Sequence, residues 1–291
     1  MSFRTVVIKS RCKLEYSLNY LVCRNPESET KICLDEISTL IIQNTGVAIT
    51  AALLSMMMEK KIKVIFCDQK ANPQGEMIPY YGAYNNFEKI TSQVHWTAEA
   101  KGKLWQMVTC QKIAWQASNL DIVGQNQCGD KLREYIGEVE VGDVTNREGH
   151  AAKVYFNACF GKDFNRGQDC PINTFLNYGY SIILSAVNRE IKSFGYLTEF
   201  GIHHIGKENP FNLSCDFMEP LRPFIDRLVL RGRITNENFK QELINCLNID
   251  VLFDEKTMFL DNAIHLYVQS LLSSMNDQNL EKAKFIDYGG L

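Results

Sequence analysis

The chain is predicted to be an α+β protein, with a small N-terminal antiparallel β domain over residues 1–80 followed by a larger all-α domain over residues 81–291. Three observations predict it. Short runs rich in Val, Ile, Leu and Tyr fill the first part, separated by turn-forming pieces such as Asn25-Pro26-Glu27-Ser28. These runs lie too close together for helical crossovers, which favours antiparallel pairing in a sheet or small sandwich. Beyond Tyr84 the texture changes to long-chain residues with apolar positions near helical spacing.

Strands are predicted over 5–8, 13–16, 19–23, 31–34 and 39–42. A helix over 47–60 follows, because Ala, Leu and Met dominate there and no Gly or Pro breaks the run. Residues 63–67 resume the sheet, and 68–82, with Pro73, Gly75, Pro79 and Gly82, read as a turn or hairpin leading into a linker. Further helices are predicted over 97–120, 129–139, 145–160, 171–194, 236–247 and 255–274, with Pro171 suited to a first helical position. There is no internal repeat, and the last fifteen residues, polar and ending in Gly-Gly-Leu, are expected to fray.

At 291 residues, 45% apolar and 22% charged, the chain can bury a sizeable core. No apolar run approaches the roughly 20 residues of a membrane span. The N-terminus, interrupted by Arg4 and Lys9, lacks a signal-peptide core, so a cytoplasmic protein is expected. The ten cysteines form no Cys-x-x-Cys pair and sit mostly among apolar neighbours, as free buried thiols do. A net charge of −3 argues mildly against nucleic acid as a partner. Arg222, Arg227, Arg231 and Arg233 nevertheless face one acid, Asp226, within residues 222–233, which leaves a local basic surface open.

Candidate chemistry concentrates in Gly201-Ile-His-His204 and Cys215-Asp-Phe-Met-Glu-Pro-Leu-Arg-Pro223. The acids Asp216 and Glu219 are three residues apart, a spacing that stacks side chains on one helical face. Carboxylates suit Mg²⁺ or Mn²⁺, and a neighbouring His leans toward Mn²⁺. The same residues also read as a helix start, with Ser214 or Asp216 as N-cap and Glu219 in the first turn. Upstream, Thr145 and Glu148 fit a capping box, while Ala151 and Ala152 leave room over Glu148 for something bulky and Arg147 and Lys153 are placed to reach a phosphate. Spacing alone leaves both readings open.

Four ordered tracts, Glu148-Gly-His-Ala-Ala-Lys-Val-Tyr-Phe, Pro171-Ile-Asn-Thr-Phe-Leu-Asn-Tyr-Gly-Tyr180, Gly201-Ile-His-His204 and Asp216-Phe-Met-Glu-Pro-Leu-Arg-Pro223, resemble the CRISPR-associated adaptation integrase family over essentially the whole chain. Asn209-Pro-Phe-Asn-Leu213 resembles the type II-A branch. The resemblance implies a metal-dependent DNA endonuclease and integrase that inserts new spacers by attack of a 3′-hydroxyl on a phosphodiester of the repeat. It places the metal ligands at Glu148, His204 and Glu219, holding Mg²⁺ or Mn²⁺, with Asp216 in support. Many members have Asp where Glu219 stands. Arg147, Lys153, Lys207 and Arg222 flank these residues as candidate DNA contacts. Implied partners are DNA, a second copy of the chain paired through the β domain, a small second adaptation protein, and in this branch the type II-A effector nuclease and an accessory adaptation protein. Asn173 and Asn177 read equally as capping or helix-contact residues, and His95, His150 and His265 as structural or exposed. Two alternatives are a free-standing nuclease of branched DNA and a non-catalytic scaffold for DNA or protein.

Overall fold

The computed structural model describes residues 4–77 and 85–290; the expected linker between the two parts lies largely outside them. The first part holds β1 (Arg4–Ile8), β2 (Lys13–Ser17), β3 (Tyr20–Arg24), β4 (Glu29–Cys33), β5 (Ile37–Ile42), β6 (Ala48–Ile49), α1 (Ala51–Glu59), β7 (Lys63–Cys67) and β8 (Pro73–Glu76). They form two four-stranded sheets, in the orders β1-β5-β7-β8 and β4-β3-β2-β6. The predicted antiparallel pairing holds for the β2-β3-β4 meander and for the β7-β8 hairpin. It fails in the first sheet, where β1, β5 and β7 run parallel, and at the β2-β6 pair. For the β5-β7 pair the reason is α1, which lies between these strands in the chain and supplies the crossover a parallel pair needs. All six residues of Ile37–Ile42, Ser38 and Thr39 included, are buried, as in a strand covered on both faces.

That strand also joins the two parts of the molecule. Leu40 and Ile42 pack with Val6, Leu53 and Val64 in one core, whereas Ile41 faces the helices with Ile65 and Cys67. Polar contacts reinforce the seam: Glu76 takes the Lys63 ammonium, the Asn188 amide and the Ser185 hydroxyl, and Arg189 reaches Thr39 at 3.2 Å.

The second part contains α2 (Asn86–Val94), α3 (Ala98–Ile122), α4 (Asn126–Gly137), α5 (Arg147–Phe160), α6 (Pro171–Ser193), α7 (Asn212–Met218), α8 (Arg222–Leu230), α9 (Phe239–Ile244), the hairpin β9 (Asp250–Phe253) and β10 (Lys256–Phe259), and α10 (Leu260–Asn276). α3 and α6 are its long central helices, α3 capped by the Thr97 hydroxyl and α6 opened by Pro171. Four departures from expectation stand out. α2, α7 and α8 are not among the expected elements. The predicted helix over 236–247 is one short α-helix followed by a 3₁₀ turn, Asn245–Asn248. The helix expected from residue 255 begins at Leu260, because Asp254 and Glu255, at φ of 50° and 64°, make a two-residue hairpin turn. The tail is docked, not frayed: Tyr288 is buried, stacks on Trp115 at 4.0 Å, and donates to the Pro220 carbonyl. Among the described residues no helix is long and apolar enough to cross a membrane.

Candidate active site

Buried polar side chains at Thr109, Lys112, Gln116 and Asn119 mark one stripe of α3 inside an apolar core. Burial of such groups requires partners. The Lys112 ammonium finds two, the carboxylates of Glu148 on α5 and of Glu219 in the 3₁₀ turn between α7 and α8. Burial alone would lower Lys112, but the Glu219 and Glu148 charges more than offset it and raise it. Burial works the other way on Glu219 and is again overcome, by Arg222 and Lys112, leaving it at about 2. Arg222 closes the set, donating to Glu219 at 2.8 Å with its guanidinium over the Tyr180 ring.

Helix α5 presents Glu148 in its first turn, but no Thr145–Glu148 capping box forms. Asn146 is the N-cap, its side chain accepting from the Gly149 N–H, while the Asp143 carboxylate accepts from the backbone N–H groups of Arg147 and Glu148. The Glu148 side chain is thereby left for the cavity. The N-cap reading of Asp216 fails too, since it lies inside α7, fully buried. Its carboxylate accepts the backbone N–H groups of Ile202, His203 and His204 at 2.6, 3.1 and 3.0 Å and meets His204 Nδ1 at 2.6 Å. That hydrogen bond, ahead of the opposing effect of burial, raises His204. Gly201 is required for the loop, because a Cβ there would lie 2.6 Å from the Asp216 carboxylate and collide with the His204 carbonyl. His203 instead stacks on Trp105, ring centroids 4.0 Å apart.

Lys112, Gln116, Glu148, Tyr180, Glu219 and Asp226, with Arg166 and Arg222, line a cavity of about 210 Å³, whereas His204 and Asp216 are not on its wall. Asp226, pushed up to about 6 by burial, accepts the Tyr180 hydroxyl, and the same burial and the Asp226 charge hold Tyr180 well above the ordinary phenol range. The Gln116 amide oxygen, buried on the wall, has no partner among the described residues, as expected where a polar ligand or water completes the shell.

The expected residues are therefore gathered in part. Glu148 and Glu219 converge on one cation, His204 lies close enough to Glu219 for its charge to be felt, and Asp216 orients the ring. Among the described residues no group of three or more His, Cys, Asp or Glu side chains is close enough together to hold a metal. The donor chemistry still suits a hard divalent ion: two carboxylates already share a cation, and the Nδ1 bond to Asp216 leaves His204 Nε2 open. Arg222 lines the cavity, whereas Arg147 is engaged by Glu138 at 3.0 Å. Lys153 lines the adjoining groove, and Lys207 sits on the exposed loop beyond His204. The basic surface left open over 222–233 is not built as such, because Arg222 is paired and Arg227 is buried. His265 pairs with Glu190, His150 is exposed, and His95 ends α2.

Lys112, Gln116, Arg166, Tyr180 and Asp226 are site residues that sequence reasoning misses. The signal for the first two was legible: Lys112, Gln116 and Asn119 recur at one face of a helix that otherwise reads as core.

The profile of the family described as CRISPR associated protein Cas1 matches residues 5–253. A "CRISPR-associated endonuclease Cas1" of Neisseria meningitidis serogroup C (strain 8013) is 34% identical over 98% of this chain and 96% of its own length. One from Pyrobaculum aerophilum is 28% identical over 78% of this chain and 82% of its own. Among solved structures, a Cas1 protein from Thermotoga maritima superposes with a TM-score of 0.75 at 15% identity, covering 94% of this chain and 97% of that one. A casposase bound to integration product gives 0.76 at 18% identity, covering 96% and 91%. A chain of a Cas6-RT-Cas1–Cas2 complex gives 0.73 at 19% identity over 96% of this chain, which spans only 35% of that polypeptide. By the profile match and the near full-length relative, the chain belongs to the Cas1 family of CRISPR-associated proteins.

Proposed function

We propose that the cavity between α3, α5, α6 and the α7–α8 turn is a divalent-metal site for phosphodiester chemistry on DNA, cutting strands and joining a 3′-hydroxyl end into a CRISPR repeat. The observation that carries the reading is the convergence of the Glu148 and Glu219 carboxylates on a single cation, Lys112, beside a His204 ring fixed by Asp216. Glu148, Glu219 and His204 would hold Mg²⁺ or Mn²⁺. When bound, such an ion polarises a phosphoryl oxygen and stabilises charge on the attacking or leaving oxygen. The chain's own residues do the positioning. Asp216 fixes the tautomer and direction of His204, Arg222 supplies a guanidinium beside the reacting phosphate, and Tyr180 stays a protonated donor.

The names of the relatives, an endonuclease, a casposase on its integration product and a Cas1–Cas2 assembly, support the same reading. It includes pairing of two copies through residues 1–80, chemistry in residues 81–291, and a small Cas2-type companion that pools positive surface an acidic chain lacks. Glu219→Ala tests it. Joining of a labelled DNA end should vanish while circular dichroism stays near wild type, the melting temperature falling because Lys112 and Arg222 lose a buried partner; undiminished joining would reject the assignment.

A further inference from the structure

Arg166, in the segment between α5 and α6, is held from several sides. One terminal nitrogen donates to Asn173 Oδ1 and the other to Asn177 Oδ1 at 2.6 Å. Its Cζ lies 5.6 Å from the Phe156 ring centroid and 5.3 Å from that of Tyr180. Asn173 is buried and spends its own amide nitrogen on the carbonyls of Asn165 and Gln168, both at 2.8 Å, which leaves its oxygen facing the guanidinium.

The acceptors are neutral, and this sets Arg166 apart. Lys112 is neutralised by Glu148 and Glu219, and Arg222 by Glu219, whereas Arg166 makes no ion pair among the described residues. A guanidinium carries five N–H donors; two go to the Asn oxygens, so the remainder are available, and its charge, felt by Asp226 in the same cavity, is met by no direct ion pair among the described residues. Aromatic faces favour the charge without cancelling it. Arg166 also stands at a junction. It lines the cavity of about 210 Å³ and a groove of about 480 Å³ that runs outward past Lys153, Asn157 and Lys162, with Asp163 as the one acid among the described residues on its wall.

Resting on the phosphodiester reading above, we propose that Arg166 is a backbone-phosphate subsite for a DNA strand that enters the cavity along this groove, with Asn173 and Asn177 as its positioning residues. A planar fork fixed in advance can take two phosphate oxygens at once, which a lysine cannot. The Asn side chains act through Arg166 and do not touch the strand.

The test uses the full chain and a short single-stranded oligonucleotide in EDTA, with binding measured across a salt series. Arg166→Ala should bind about tenfold more weakly, the loss of one charge-assisted contact, and its log K against log salt slope should shrink by about 0.7. Arg166→Lys should recover the slope but leave joining slow. Asn177→Ala should keep the slope and lower kcat more than KM, a split that a purely structural role, visible as a lower melting temperature, would not produce. If Arg166→Ala does not fold, Arg166→Gln and Arg166→Lys carry the comparison. Wild-type affinity and slope in the folded charge-removed variant overturn the proposal. So does loss of competition by inorganic phosphate with oligonucleotide binding intact, which would mark a free-phosphate site. The subsite and the parent reading fail separately: a wild-type chain that never cuts or joins DNA, yet shows the slope change, sinks the reading and retains the subsite.

Discussion

His204 turns its Nδ1 onto the carboxylate of Asp216, 2.6 Å away, and the same carboxylate gathers the three backbone N–H groups of residues 202–204. One buried acid thus folds the loop, selects the ring nitrogen left exposed, and raises the imidazole. Asp216→Asn replaces one acceptor oxygen by an NH₂ group facing backbone donors. Mn²⁺ affinity should fall about 10- to 100-fold, the usual consequence of losing such an outer-shell carboxylate. Because the wild-type His204 proton is held more tightly than usual, metal binding should strengthen as pH rises through its titration. Titration calorimetry across pH 6–8 checks both, and an unchanged Mn²⁺ constant in the variant would dispose of the assigned role.

Lys112 occupies the place between two carboxylates that a divalent ion would also seek. Lys112→Met removes that cation and leaves Glu148 and Glu219 facing each other across buried space. In EDTA the variant should lose roughly 3 kcal/mol of stability, the cost of breaking a buried pair from one side. Mn²⁺ should then restore more stability to it than to the wild type, because metal no longer competes with an ammonium and stabilisation grows with ligand affinity. Melting curves with and without Mn²⁺ decide the matter. A smaller metal-induced rise in the variant would show that Lys112 assists the ion instead of substituting for it.

How far the sequence reached is clear from these same residues. The two-part architecture was legible from β-rich runs giving way to helical spacing, and most long helices begin and end within a few residues of expectation. Parallel pairing was not, because direction depends on what fills the connection, and α1 reads as an interruption when it is a crossover. Glu148, Asp216 and Glu219 were legible as candidate acids in the sequence, but their partners were hidden. Lys112 lies 36 residues before Glu148 and 107 before Glu219, and only tertiary packing brings a charge from the middle of a core helix to both. Asn173 and Asn177 look like helix caps because nothing local announces that Arg166 folds back over them.

Asp226 supplies a pH test separate from metal. Burial outweighs the Tyr180 and Tyr155 hydrogen bonds and lifts its carboxyl from 3.8 to about 6. A group raised in the folded state stabilises fully below its unfolded value and loses that contribution as pH climbs through the folded one. The wild type should therefore forfeit about 2 kcal/mol from this residue between pH 4 and 6.5, since each tenfold change in proton affinity is worth about 1.4 kcal/mol. Asp226→Asn keeps an acceptor for the Tyr180 hydroxyl and carries no charge, so its stability should be flatter over that window and exceed the wild type's above pH 7. Urea unfolding at half-unit pH steps measures the difference between the two curves. Parallel curves would mean that Asp226 ionises in the folded protein as readily as in the unfolded chain.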